Sequence, residues 1–228
     1  LDMSVTLEGR ERPYRNDPLG DILKERGLAH EKAYVDHLKA QGREVLDLSA
    51  LKDPEAAAAA TLEAMRKGQG AIVQAALLTD DGRWYGRPDV LLRTDKPGTR
   101  PWSYEAVDTK LAQETKGGTI LQLSAYSDML GAMQGLVPES FSVVTPVAVE
   151  VYRVADYAAY YRMVRRSLTE EVAKGHERLI AEYYPEPVDA CQVCVWAGRC
   201  ESRRRKDDHL SFIANSGRSH RVEMVAQG

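Results

Sequence analysis

Apolar residues recur at roughly helical intervals across residues 19–42, LGDILKERGLAHEKAYVDHLKAQG, with Leu19, Ile22, Leu23, Ala29, Ala33 and Leu38 setting the period and Gly42 as a stop. Gly27 is a candidate break that would divide this stretch into two helices. A further helix is expected from about Pro54 to Lys67, announced by Asp53-Pro54, carried by an alanine run and closed by Gly68. These helices are expected to form an N-terminal helical cap over residues 1–70. The texture then shortens to AIVQAALL, RWYGRPDVLLR and WSYEAVDTKL, separated by Asp80-Asp81-Gly82 and by DKPGTRP. An Asp-Gly pair between two strand-like runs is a hairpin signal, and Lys-Pro-Gly marks the next reversal, so three consecutive antiparallel strands follow. Helical spacing returns from Thr119 to Met133. Phe141 to Arg153 is a β-branched run with Pro146 inside it, and Asp156 is expected to cap a long tyrosine-rich helix reaching about Glu182. The order helix, meander, helix, strand, helix predicts an α/β core over residues 71–185. Beyond Pro185 and Pro187 the composition changes again: residues 186–210 hold a cysteine cluster, and residues 211–228 read as a linker to a further domain.

Composition narrows the class. With 228 residues, 43% hydrophobic and 29% charged, the chain can bury a sizeable core and is neither disordered nor fibrous. Its three cysteines all fall between positions 191 and 200, which argues against a secreted disulfide framework and for a reducing compartment. No apolar run is long enough for a membrane helix and no signal peptide opens the chain, so a soluble, cytoplasmic protein without membrane partners is expected. The chain begins with Leu1 rather than Met, and its natural start is expected to lie upstream. The net charge of −3 at first argues against nucleic acid. Locally, however, residues 196–206 carry Arg199, Arg203, Arg204, Arg205 and Lys206 against the single acid Glu201, the clearest phosphate-binding patch in the chain.

The candidate chemistry sits in the strand-like region. Period two puts Asp108 and Lys110 on one face of the strand Tyr104–Leu111, with Val107, Thr109 and Leu111 on the other. The preceding strand carries Asp89 after Gly86-Arg87-Pro88, and a meander would bring it beside Asp108. Two converging carboxylates repel unless a cation lies between them, so Mg²⁺ or Mn²⁺ is the natural occupant. Lys110 would then orient a water or stabilise charge on a phosphate. Gln122 and Tyr126 share one helix face at i and i+4. His30 could add an imidazole ligand; in His30-Glu31-Lys32-Ala33-Tyr34 the second histidine of a zinc-protease motif is replaced by Tyr34, which excludes that reading.

The ordered set His30, Gly-Arg-Pro-Asp89, Val-Asp108-Thr-Lys110 and Gln122-x-x-x-Tyr126, followed by C-x₂-C-x₅-C at Cys191, Cys194 and Cys200, resembles the RecB-like branch of the PD-(D/E)xK nucleases. It is most similar to the iron–sulfur members: AddB-type nuclease domains, CRISPR adaptation exonucleases and helicase-fused nuclease domains. The resemblance covers about residues 20–210. It implies a restriction-endonuclease-like core, a central mixed sheet with an antiparallel meander flanked by helices. It also implies that Asp89, Asp108, the Thr109 carbonyl and the His30 imidazole hold the metal, that Lys110 is the catalytic lysine, and that Gln122 and Tyr126 contact or position DNA. The activity implied is metal-dependent hydrolysis of DNA, exonucleolytic on single-stranded ends, in repair, recombination or defence, with a helicase domain or subunit as partner. Cys191, Cys194 and Cys200 would supply three ligands of a [4Fe-4S] cluster, the fourth cysteine preceding Leu1; zinc with His209 or another histidine is the competing occupant.

Plainer roles stand beside these. Glu31 and Glu105 read as solvated, His37 as an ordinary helix residue, and the tyrosines at 152, 157, 160, 161, 183 and 184 as packing groups. Arg203, Arg204 and Arg205 are either substrate contacts or a solvated face. The alternative class is a non-catalytic nucleic-acid-binding module, and a zinc-ribbon interaction domain is a third.

Overall fold

The computed structural model describes Pro13 and residues 17–175, 177–178 and 183–227. Helix α1 (Pro18–Ala40) runs unbroken through Gly27. One glycine inside a helix costs only about 1 kcal/mol against alanine, and the buried Val35 and Leu38 hold the second half down. The chain leaves α1 through Gly42, whose φ of +79° suits a residue without a Cβ.

Residues Val45–Asp47 then form strand β1, too short for any period to reveal it. It pairs in parallel with β2 (Ala71–Val73), so helix α2 (Pro54–Lys67) is the crossover between two sheet strands. Both helices lie with the sheet in one compact unit, Pro18–Arg165. Helix α2 has the expected ends: Asp53 accepts from the Ala56 N–H at 2.8 Å, Pro54 opens the first turn, and Gly68 closes it in the left-handed region.

The expected meander is present but interrupted. AIVQAALL breaks at Gln74 into β2 and β3 (Leu77–Leu78), and RWYGRPDVLLR breaks into β4 (Tyr85–Gly86) and β5 (Val90–Thr94). Strands β3 and β4 form their own two-stranded hairpin around the Asp-Gly turn, where the Gly82 N–H bonds the Thr79 carbonyl at 2.8 Å. Strands β2, β5 and β6 (Ser103–Thr109) pair in antiparallel succession. Helix α3 (Gly117–Gln134) returns the chain so that β7 (Ser140–Val144) lies parallel to β6. The β-branched run expected as one strand turns back at Pro146, which has no N–H for a ladder, and continues as β8 (Val149–Arg153), antiparallel to β7. Thr145 closes that turn through its backbone and hydroxyl to the Ala148 carbonyl.

The result is a mixed six-stranded sheet, in the order β1-β2-β5-β6-β7-β8, flanked by helices. On one face Tyr104 and Ala106 pack with Met65 of α2 and with Leu123 and Leu130 of α3. On the other, Val90, Val107 and Val144 pack with Val35 and Leu38 of α1. Helix α4 (Val154–Ala173) starts two residues before Asp156, which sits in its first turn and accepts from Arg153 Nη2 at 2.6 Å and Nε at 3.1 Å. It stops ahead of Gly175 at φ +82°, and the expected end near Glu182 lies outside the described residues.

The second unit holds the C-terminal residues from Arg166. It contains a 3-10 turn at Asp189–Gln192, helix α5 (Ala197–Lys206), a second 3-10 turn at Leu210–Phe212 and helix α6 (Arg218–Gln227). The stretch expected as a linker is thus partly helical, anchored by the buried Arg221, which donates to the Ser216 carbonyl and to Glu186. Among the described residues, no helix is long and apolar enough to cross a membrane.

Candidate active site

The pairing directions bring the C-terminal ends of β1, β2, β6 and β7 and the N-terminal end of β5 to one end of the sheet. Val90 opposite Val107 is the last β5–β6 pair, and one step further along this register sets Asp89 against Asp108. Asp89 is held by β6 itself: its Oδ2 accepts from the Thr109 N–H at 2.7 Å and from the Thr109 hydroxyl at 2.9 Å. Asp108 has a side chain only 2% exposed and forms an ion pair with Lys110. The Lys110 ammonium lies against Asp108 Oδ2. Burial, and then the Asp89 carboxylate, push the Asp108 carboxyl up to about 6, with Lys110 opposing them. A mutually repelling pair of hard oxygen donors, one of them buried, is the arrangement a divalent cation would relieve.

His30 and Glu31 reach this sheet end from α1. The His30 Nε2 donates to the Val144 carbonyl at 2.9 Å, which leaves Nδ1 as the ring nitrogen with a free lone pair. Glu31, expected to be solvated, is half-buried. Burial raises its carboxyl, the Gln74 amide opposes that, and Asp89 and Asp47 raise it further while Lys110 lowers it. It therefore lies within electrostatic reach of Asp89, Asp47 and Lys110. Its Oε1 accepts from Gln74 Nε2 at 2.6 Å. Gln74 has φ +50°, unusual for a residue with a Cβ. Its N–H bonds the Asp89 carbonyl at 2.7 Å, and its own carbonyl accepts from Arg87, which also serves the Leu48 and Leu51 carbonyls. Glu31, Asp47, Gln74 and Arg87 line an open cavity of about 590 Å³.

Gln122 and Tyr126 do stand together, the Gln122 amide donating to the Tyr126 hydroxyl at 2.8 Å. Gln122 is exposed, whereas Tyr126 is buried against the strand that leads to Asp89. Its ring packs so closely on Gly86 that a Cβ there would stand 2.3 Å from Cε1. Burial is the main reason its phenol is held above the ordinary value. Tyr126 thus packs on Gly86, at the start of the turn that leads to Asp89.

In the C-terminal unit, Cys191 and Cys194 are partly exposed and Cys200 is buried, all as free thiols. Burial raises the Cys200 thiol, Arg204 opposes it, and Cys194 and Cys191 add to the rise. Both ring nitrogens of His209 are engaged, Nε2 with Glu186 and Nδ1 with Ser211, each at 2.9 Å, which does not suit the expected fourth zinc ligand. Among the described residues, no three His, Cys, Asp or Glu side chains are gathered closely enough to ligate a metal by themselves. The basic run is also less available than its sequence suggests. Arg204 is 7% exposed and donates to the Pro185 carbonyl. Arg205 pairs with Glu201 at 2.6 Å, and Arg203 lies 3.5 Å from Asp207.

Compared with models of known families and with curated proteins, the chain matches none. The residues that the motif order missed are Glu31 and Gln74, and it gave Arg87 no role of its own. The available signal was a lone amide inside the apolar run AIVQAALL.

Proposed function

We propose that the chain is a RecB-like PD-(D/E)xK nuclease domain, with the sheet as a restriction-endonuclease-like core, hydrolysing phosphodiester bonds of single-stranded DNA with Mg²⁺ or Mn²⁺. The observation that carries the reading is the setting of Asp89 opposite Asp108, with Lys110 paired to the buried member, at one end of the sheet. The two carboxylates fit a hard divalent cation, and such a cation supplies Lewis-acid polarisation of the phosphate and a more acidic water. Asp89 and Asp108 would hold it, with Thr109 fixing the rotamer of Asp89. Lys110, freed from part of its pairing when the cation shares Asp108, would stabilise negative charge building on the phosphoryl oxygens. Gln122, exposed beside Tyr126, is available to the strand.

Cys191, Cys194 and Cys200 supply three of the four thiolates an iron–sulfur cluster needs. They would act as a structural staple, and no step of the hydrolysis depends on them.

The test is cleavage of DNA labelled at the 5′ or the 3′ end, with Mg²⁺ or Mn²⁺. Lys110→Ala is expected to abolish cleavage and leave the fold intact by circular dichroism. Binding without cleavage by the unsubstituted protein would favour the non-catalytic module.

A further inference from the structure

The two edges of the six-stranded sheet differ. Strand β1 is a three-residue edge with Arg43 and Glu44 just before it and Asp47 at its end, and short, charged edges resist pairing with another chain. Strand β8, at the other edge, runs five residues in unbroken register with β7 and contains no Lys or Pro. Its one cation, Arg153, is already engaged by Asp156. The backbone groups that β8 turns outward follow from the ladder. Thr145 N–H donates to the Ala148 carbonyl and Val154 N–H to the Glu139 carbonyl, both at 2.9 Å. Bonded pairs alternate in an antiparallel ladder, so Glu150 and Tyr152 turn to β7, while Val149, Val151 and Arg153 turn their N–H groups away from it. The Val144 carbonyl, opposite Val149, accordingly bonds the Lys110 N–H on the β6 side. Among the described residues no strand pairs with the outer edge of β8.

The same strand is bare on one face. Val149 lies opposite Val144, and Val151 opposite Ser142, which in turn pairs with Val107. This is the face that α1 covers at Val107 and Val144, yet Val149 is 55% and Val151 65% exposed. We propose that a second copy of this chain adds its own β8 antiparallel to this free edge, joining the two sheets about a two-fold axis at Val151. The occupant is a second copy because the strand complements itself. Centred on Val151, the pairing uses the whole strand: Val151 exchanges N–H and C=O with its counterpart, and the Arg153 N–H reaches the carbonyl of the other copy's Val149. The valines of both copies then meet on the face of α1. On the opposite face Glu150 stands across from the other copy's Tyr152, a hydroxyl that within one copy already donates to Glu150 at 2.7 Å. Centring the pair on Glu150 instead would set two carboxylates directly opposite, which is destabilising. Asp89, Asp108 and Lys110 take no part, so the dimer stands whether or not the chain cleaves DNA. A single short strand pair is at the small end of specific interfaces, and dissociation in roughly the micromolar range is expected.

The experiment follows the mass of the whole chain by analytical ultracentrifugation across the micromolar range, beside Val151→Lys and Val151→Pro. Hydrogen exchange of the β8 amides is measured over the same concentrations. Val151→Lys brings two ammonium groups together at the two-fold axis. Val151→Pro removes an N–H that bonds nothing within one copy, a position where an edge strand tolerates proline. Circular dichroism checks that both variants keep the fold. The unsubstituted chain is expected to double in mass as concentration rises, with exchange at the Val149, Val151 and Arg153 amides slowing in step, and both variants should remain monomers. An unsubstituted chain that stays monomeric throughout, or a dimer that survives both substitutions, would overturn the inference. So would exchange at these amides that is equally slow at the lowest concentration, because another segment of the same chain would then occupy the edge. Should a variant fail to fold, the concentration dependence of exchange in the unsubstituted chain decides alone.

Discussion

Asp108 concentrates the electrostatics of the site. Its carboxyl sits near 6 because burial and Asp89 disfavour the charged form more than Lys110 favours it. The folded state therefore holds this proton more tightly than the unfolded chain does. The resulting stability is fully present below the ordinary aspartate value of 3.8 and is lost as pH rises through about 6. Without divalent cations, thermal melts should show this loss between pH 4 and 7. Asp108→Asn should remove it and leave the cation-free protein more stable at pH 7.5 by roughly 1–3 kcal/mol. Equal pH profiles for the two proteins would contradict the assignment. Asp108 and Asp89 were legible in the sequence because strand period and meander register are both regular. Glu31 was not, since a glutamate on a helix surface looks the same whether it faces solvent or, as here, the side chain of Gln74, 43 residues away.

At the scale of elements, propensity and capping signals predicted helix α2 residue for residue. Asp53→Ala should therefore cost about 1 kcal/mol in urea denaturation. Strand β1 escaped notice because three residues carry no period, and β7 and β8 were merged because the turn between them is only the Thr145–Ala148 closure. The packing of α3 on β4 gives a sharper prediction. Gly86→Ala drives a Cβ into the Tyr126 ring and should destabilise the protein by about 1–3 kcal/mol. Tyr126→Phe, which removes only the hydroxyl held by Gln122, should cost about 1 kcal/mol. In the C-terminal unit, Arg204→Ala should cost about 1–3 kcal/mol because it removes a buried side chain and strips the part-buried Pro185 carbonyl of its donor. Arg203→Ala and Arg205→Ala, which lose exposed ion pairs, should each stay within about 1 kcal/mol in the same denaturation series. A run of four basic residues in sequence cannot reveal that one of them turns inward, because helix α5 decides that.

Across the sheet-bearing unit, the layered arrangement explains why the candidate chemistry sits where it does. Helices cover both faces of the sheet, so polar groups collect at the end where β6 delivers Asp108 and Lys110 and β5 begins beside Asp89. The net charge of −3 is an average that conceals this grouping of carboxylates around one lysine. The most direct test of the central claim is cleavage of 5′-labelled single-stranded DNA by the unsubstituted chain beside Asp108→Ala, with Mn²⁺ or Mg²⁺ and then with EDTA. Shortened DNA that appears only with the cation, and only when Asp108 is present, is the predicted result. Full-length DNA under every condition, or equal cleavage by Asp108→Ala, would contradict it.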